Sequence, residues 1–260
     1  MKQPAELAPA KAGCLIRLRS STEALKRAEQ TIADFVLADP TSVIQMSISE
    51  LAQDLVAPSE FIHEKITFHD RTADLTDKIF QANLNAVEST RRSLDPDRVD
   101  VAAASLTGAR KIEIYGAGYS YFTALDAKHK FLRLGLIADA YGDGHLQAMG
   151  AAALSKKDVA IGISHSGSSR DVVEALTIAR QAGASVIAIT NFSPSPITRA
   201  ADVVLLTAAP ETPLGVEVLT SRIAQLCVID VLAATVAIRL GESCLQYIRK
   251  ASDAIKKKRY

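Results

Sequence analysis

The sequence predicts an α/β protein: a C-terminal three-layer domain built on a parallel sheet of the flavodoxin-like kind, preceded by a small all-helical region. Three observations carry this. From residue 98 onward, short runs that are apolar throughout alternate with stretches of helical period, the pattern of a parallel sheet covered on both faces. Residues 1–94 show helical spacing and turn residues but no strand run. The 260 residues are 48% hydrophobic and 23% charged, enough for one or two packed domains, and this balance excludes a disordered or fibrous chain.

The elements follow in order. Leu15, Leu18, Leu25, Ile32, Phe35 and Val36 recur near helical spacing over residues 14–38, and Pro40 closes that helix. Ser47 and Glu50 form a capping box that opens a second, shorter helix, and Ala57-Pro58-Ser59 breaks it. Residues 71–94 form a polar-faced helix ended before Asp95-Pro96-Asp97. A helix over 98–108 then leads into the strand Lys111–Tyr115, the turn Gly116–Ser120 and a helix to Leu134. A short strand near 137–141 and a helix near 145–154 precede the strand Asp158–Ser164. The loop His165–Ser169, the helix Arg170–Ala182 and the strands Ser185–Thr190 and Val203–Leu206 come next. A long helix from about Val216 to Leu240 follows, and the stretch from Arg249 to Tyr260 carries six basic residues against Asp253. Cations of this kind suit a solvated helix end.

Charge and cysteine content exclude several classes. Thirty basic and 29 acidic residues give a net charge of +1, so no overall excess advertises a polyanionic partner. Residues 1–60 hold six basic and eight acidic groups. Cys14, Cys227 and Cys244 are widely spaced with no CxxC, which indicates neither a disulfide framework nor a metal site. No signal-like apolar segment follows Met1, and the longest apolar run, Leu226–Ile238, is interrupted by Asp230. A cytoplasmic protein with no membrane partner is the expectation.

Two loops each follow an apolar strand and open a helix: Gly116-Ala117-Gly118-Tyr119-Ser120 and Ser164-His165-Ser166-Gly167-Ser168-Ser169. The start of a helix offers free amides and a partial positive charge, so it holds an anion well. Hydroxyls at Ser164, Ser166 and Ser169 add donors, Gly167 permits close approach, and Gly118 with Ser120 supply a second, facing loop. Such loops bind a phosphate monoester without Lys or Arg, and plain turn and capping chemistry explains the same residues. A nicotinamide cofactor is not expected, because the GxGxxG pattern is incomplete at Tyr121 and no acidic residue stands out in a clear second strand. No cofactor is implied.

The stretch Ile163–Asp171 resembles the S-x-S-G-x-[ST] signature of the SIS (sugar isomerase) domain, and Lys111–Ser120 is similar to that domain's opening strand and loop. Ser221–Leu226 with Val228-Ile229-Asp230 resembles the long helix of RpiR/MurR-type regulators, and Ala28–Pro40 with Ile48–Ala52 resembles the first two helices of their helix-turn-helix. The HexR branch of that family is the nearest in kind. The resemblance implies residues 1–60 as a partial helix-turn-helix-like region, 61–97 as linker and helix, 98–248 as the SIS domain and 249–260 as a basic tail. It implies a transcriptional regulator of sugar catabolism whose effector is a sugar phosphate, such as 2-keto-3-deoxy-6-phosphogluconate or a hexose phosphate. DNA is the expected partner, and the state is a homodimer or homotetramer.

The chain departs from the family after the second helix. Leu55–Glu60 runs directly into Phe61–Glu64, where the family carries a recognition helix, and residues 47–64 offer only Gln53 for reading a base. Two other readings therefore stay open: a phosphosugar-binding module without DNA contact, and a phosphosugar isomerase. An isomerase needs a general base, usually Glu, and a His for ring opening. Arg222 stands where simple SIS isomerases carry that Glu, Glu217 lies five residues earlier, and His145 and His165 sit near the loops. These four are candidate ligand contacts, with Arg222 suited to a ligand carboxylate. No catalytic residue is assigned.

Overall fold

The computed structural model describes residues 27–38, 40, 43, 70–209 and 217–256. The chain forms two compact units, residues 1–64 and 65–260. In the first, helix α1 spans Arg27–Ala38 and buries Ala33. The expected turns before Arg27, the capping box at Ser47 and the whole stretch 47–64 lie outside the described residues.

The second unit opens with two helices, α2 (Thr72–Ser93) and α3 (Pro96–Thr107). The α3 helix begins two residues earlier than expected. Asp95 caps it by accepting from Asp97 N at 2.9 Å, and Pro96 occupies the first turn, where a missing N–H costs nothing. The alternation then runs β1 (Ile112–Gly116), α4 (Tyr119–Arg133), β2 (Ala138–Tyr141), α5 (Gly144–Ala152), β3 (Val159–Ile163) and α6 (Arg170–Gln181). It continues with β4 (Ser185–Thr190), a single-turn α7 (Pro196–Ala200), β5 (Val203–Leu206), α8 (Glu217–Leu240) and α9 (Glu242–Lys256). The sequence reading did not separate α7 or α9. Gly241, at φ +60°, breaks the chain between α8 and α9, and the basic C-terminal stretch begins inside α9.

All four strand pairings are parallel, in the order β2-β1-β3-β4-β5. This is the flavodoxin-like order, with its switch point between β1 and β3. One face buries Ile112, Ile114, Ile161, Ile163, Ile187 and Ile189 against α3, α4 and α8. The opposite face packs Tyr115, Ala160, Val186 and Ala188 under α5, α6 and α7. In the central strands β1 and β3 every residue is buried, because helices cover both faces, while the edge strands β2 and β5 are half-buried at alternate positions.

Two charged groups depart from that apolar pattern. Glu113 in β1 has no exposed surface, and it is held by Lys111 Nζ at 2.6 Å and by the Tyr115 hydroxyl, which donates at 2.7 Å. Burial and the neighbouring Glu113 push the Tyr115 hydroxyl far up in pKa, and the bond to Glu113 raises the Lys111 amine. Asp158, at the start of β3, takes a two-pronged contact from Arg110 at 2.7 and 2.9 Å and bonds to Ser155 N and Oγ.

The stretch Thr220–Leu240 has the length and composition of a membrane-crossing helix, longer than the run read from the sequence. Ala224, Val228, Ile229, Leu232 and Val236 of this stretch are buried in the core, whereas Ile238 is exposed. The apolar positions of this helix are compatible with a dimer face or with a buried core helix. Leu232 and Val236 are core, Ile223, Leu226 and Cys227 are half-buried, and Val231 is exposed. Burial also pushes the Cys227 thiol up, which suits a small core residue and disfavours a nucleophile.

Candidate functional site

The pairing of Gly116 with Ile163 sets the ends of β1 and β3 side by side, so the loops that follow them are neighbours at the carboxyl edge of the sheet. In this order β1/β3 is the switch point, where crossovers leave to opposite sides and open a crevice.

The second loop is tightly determined. Gly167 is buried at φ +66°, and a Cβ there would lie 2.4 Å from Ser195 Oγ. Its carbonyl accepts from Ile197 N at 2.9 Å, tying the loop to α7. Ser169 caps α6 without using its hydroxyl for capping; instead Ser164 Oγ and Ser169 Oγ share one hydrogen bond at 2.9 Å. Ser166 is exposed, and its Oγ accepts from Ser168 N at 3.2 Å. The first bond of the helix backbone is Val173 N to Ser169 O, so the amides just ahead of it are not used within α6.

In the facing loop, Gly118 takes φ +53° and is exposed, and Ser120 is half-buried in the first turn of α4. Gln225, fully inside on α8, accepts from Thr123 Oγ1 at 3.0 Å and donates to Ser120 Oγ at 3.4 Å. Gln147 of α5 donates to the carbonyls of Gly116 (3.0 Å) and Tyr141 (3.1 Å), pinning the ends of β1 and β2 together. Neither glutamine was singled out from the sequence. The available signal was a polar residue at a core-facing position of an otherwise apolar helix, as in Ile223-Ala224-Gln225-Leu226.

The structure places three of the four remaining expected residues, His145, His165 and Arg222. His145 is exposed in the first turn of α5. Its turn lies against α6, since a Cβ on Gly144 would meet the Asp171 carboxyl at 2.8 Å. His165 is half-buried, edge-on to Phe192 with ring centres 5.7 Å apart. Arg222 is half-buried on α8. Thr123 meets Gln225, and seven residues on Lys130 meets Asp230 at 2.8 Å, so α4 and α8 run in the same direction. Arg222, one turn before Gln225, is therefore level with the start of α4 beside the Gly118 loop. The backbone of Glu217 starts α8; its side chain lies outside the described residues. β2 does contain an acidic residue, Asp139, which corrects the expectation from sequence. Its carboxylate bonds to Lys128 Nζ at 2.6 Å, and that amine holds it below the usual carboxylate range. No cluster of three or more His, Cys, Asp or Glu suited to a metal occurs among the described residues.

Fold and site together define a doubly wound α/β domain with serine-lined, helix-opening loops at its switch point. The SIS domain family matches residues 105–235, about half of the chain. The HTH-type transcriptional regulator HexR of Pseudomonas aeruginosa is 31% identical over 276 positions, covering 95% of this chain and 96% of that protein. Those 276 positions exceed the 260 residues here, so HexR carries residues with no counterpart in this chain. The sugar isomerase domain of an RpiR transcription factor from Sphaerobacter thermophilus superposes with a TM-score of 0.64 at 26% identity, covering 69% of this chain and 98% of that one. The Vibrio vulnificus NanR protein, solved in complex with ManNAc-6P, has the same fold at a TM-score of 0.70 and 23% identity, covering 94% and 98%. The chain belongs to the SIS-domain transcriptional regulators of the RpiR/HexR type.

Proposed function

We propose that this protein is a transcriptional regulator of sugar catabolism whose SIS domain binds a sugar phosphate through Gly118, Ser120, Ser164, Ser166, Gly167 and Ser169, and thereby alters DNA binding. The observation that carries the reading is how the hydroxyls are already engaged. Ser166 Oγ accepts from Ser168 N, and Ser120 Oγ accepts from Gln225 Nε2. Each hydroxyl thus keeps its own hydrogen to donate. Ser164 and Ser169 share one bond between two hydroxyls, which leaves one hydrogen over. A crevice lined by donors, beside unused helix amides, is complementary to a phosphate monoester.

The sugar end of the ligand faces the rim formed by His145, His165 and Arg222. An effector such as a hexose phosphate or 2-keto-3-deoxy-6-phosphogluconate fits this chemistry, with Arg222 contacting a carboxylate when the ligand has one. Binding without catalysis is the favoured reading. Arg222 is a cation where an isomerase needs a base, and the Glu113 carboxylate is tied to Lys111 and Tyr115 inside the sheet. Action on DNA would place the protein in the cytoplasm as a homodimer or homotetramer, the arrangement through which ligand and DNA affinities are linked.

The test is isothermal titration calorimetry of the full chain with these phosphates. Ser166→Ala should weaken binding by about 1–3 kcal/mol, roughly 5- to 150-fold, the loss of one donor to a charged group. Unaltered affinity would remove Ser166 from the site.

A further inference from the structure

We propose that Thr90 of α2 is the positioning residue through which occupancy of the 164–169 loop is transmitted to α2. The inference rests on reading that loop as the phosphosugar site.

A continuous set of short contacts joins the two. The His165 carbonyl, inside the loop, accepts from Asn191 N at 3.0 Å and from Thr190 Oγ1 at 3.3 Å. The Asn191 side chain then accepts, at Oδ1, from Ala209 N at 2.6 Å and from Thr207 Oγ1 at 3.3 Å. Between these two anchors, Ala208 N donates to Thr90 Oγ1 at 2.9 Å. Thr90, Thr190, Thr207 and Ala209 are all buried, none more than 2% exposed.

Thr90, like Thr123 on α4, uses its hydroxyl outside its own helix, whereas four other helical threonines do not. Thr76, Thr107, Thr177 and Thr235 each donate back to the carbonyl four residues earlier in their own helix, the local bond a helical threonine ordinarily makes. Thr90 instead accepts from a backbone amide 118 residues away. The joint is also closely packed. Ala86 of α2, Ala209 of the segment and Ala224 of α8 form one buried cluster of small side chains. Small residues bring the backbones close, and a close-packed joint transmits a displacement. A ligand that draws on the 164–169 loop pulls on His165 and Asn191, hence on 207–209, hence on the last turns of α2. In chain order α2 precedes the SIS domain and follows residues 1–64, so it is the element through which a signal would pass toward them.

The experiment is hydrogen–deuterium exchange of the full chain with and without saturating glucose 6-phosphate or 2-keto-3-deoxy-6-phosphogluconate, with affinities measured by calorimetry on the same samples. In the wild type, ligand should slow exchange over residues 86–94 and 207–209 as well as the loop, by roughly fivefold or more. Thr90→Val keeps shape and removes the acceptor. Its affinity should stay within about twofold of wild type while the slowing over 86–94 disappears, because the site is distant but the link is cut. Thr90→Ser should restore it. The proposal is overturned if Thr90→Val keeps the full response in α2. It is equally overturned if the wild type protects its loop and leaves 86–94 unchanged, an outcome readable even where Thr90→Val does not fold. Failure of both phosphates to bind the wild type in calorimetry would overturn the phosphosugar reading itself, and the relay with it.

Discussion

Gly167→Ala probes the geometry on which the site depends. Two penalties add at this position. The residue sits at φ +66°, where an L side chain costs roughly 1–2 kcal/mol. The new methyl would also stand 2.4 Å from Ser195 Oγ and 2.9 Å from Thr190 Oγ1, well inside contact distance. Ser195 has little room to retreat, because its residue is buried and Ile197 N is bonded to the Gly167 carbonyl. Overpacking of this kind costs roughly another 1–3 kcal/mol, for a total of about 2–5 kcal/mol. Urea unfolding followed by circular dichroism reads the change in midpoint directly. Ser195→Gly vacates the colliding hydroxyl, so the double variant should recover about 1–2 kcal/mol relative to additivity. A loss below about 0.5 kcal/mol for Gly167→Ala, or strict additivity in the pair, would refute the left-handed loop packed on Ser195.

Two further outcomes follow from the same geometry. Arg222→Ala should weaken 2-keto-3-deoxy-6-phosphogluconate by roughly 10- to 100-fold while leaving neutral hexose phosphates nearly unchanged, since only the sugar acid presents a carboxylate; equal effects in calorimetry would remove Arg222 from the ligand. Asp158→Asn should destabilise the protein by about 1–2 kcal/mol at pH 7. The Arg110 guanidinium beside it holds the Asp158 carboxyl below its usual range, so the wild-type advantage is present above about pH 4 and fades as pH falls through the depressed value. Unfolding curves of both proteins across pH 2–7 check this, and a difference that persists undiminished at the acid end contradicts it.

The sheet was readable because β3, β4 and β5 are apolar on both faces and the strands alternate with stretches of helical period. β3 and β4 differ from expectation by at most a residue at either end. Glu113 is the exception inside β1, and its partners Lys111 and Tyr115 flank it two residues away on the same side of the strand, which is why the charge does not break the pattern. α9 was split between the SIS domain and the basic tail, because charge dominates Arg249–Tyr260 while its apolar positions Cys244 and Ile248 lie before that stretch. At the site, the serines and glycines announced themselves through spacing after a strand. Gln225, Gln147, Asn191 and Thr90 did not, because their roles depend on contacts spanning 18 to 118 residues, which no local pattern encodes.

The decisive measurement is fluorescence anisotropy of the full chain on labelled DNA from upstream of its own gene, across a salt series, with and without 2-keto-3-deoxy-6-phosphogluconate and hexose phosphates. Saturable, salt-dependent binding whose affinity shifts by roughly 5- to 150-fold with one of these phosphates is the predicted result. Binding that none of them changes, or no binding at low salt, contradicts a sugar-phosphate-sensing regulator acting on DNA.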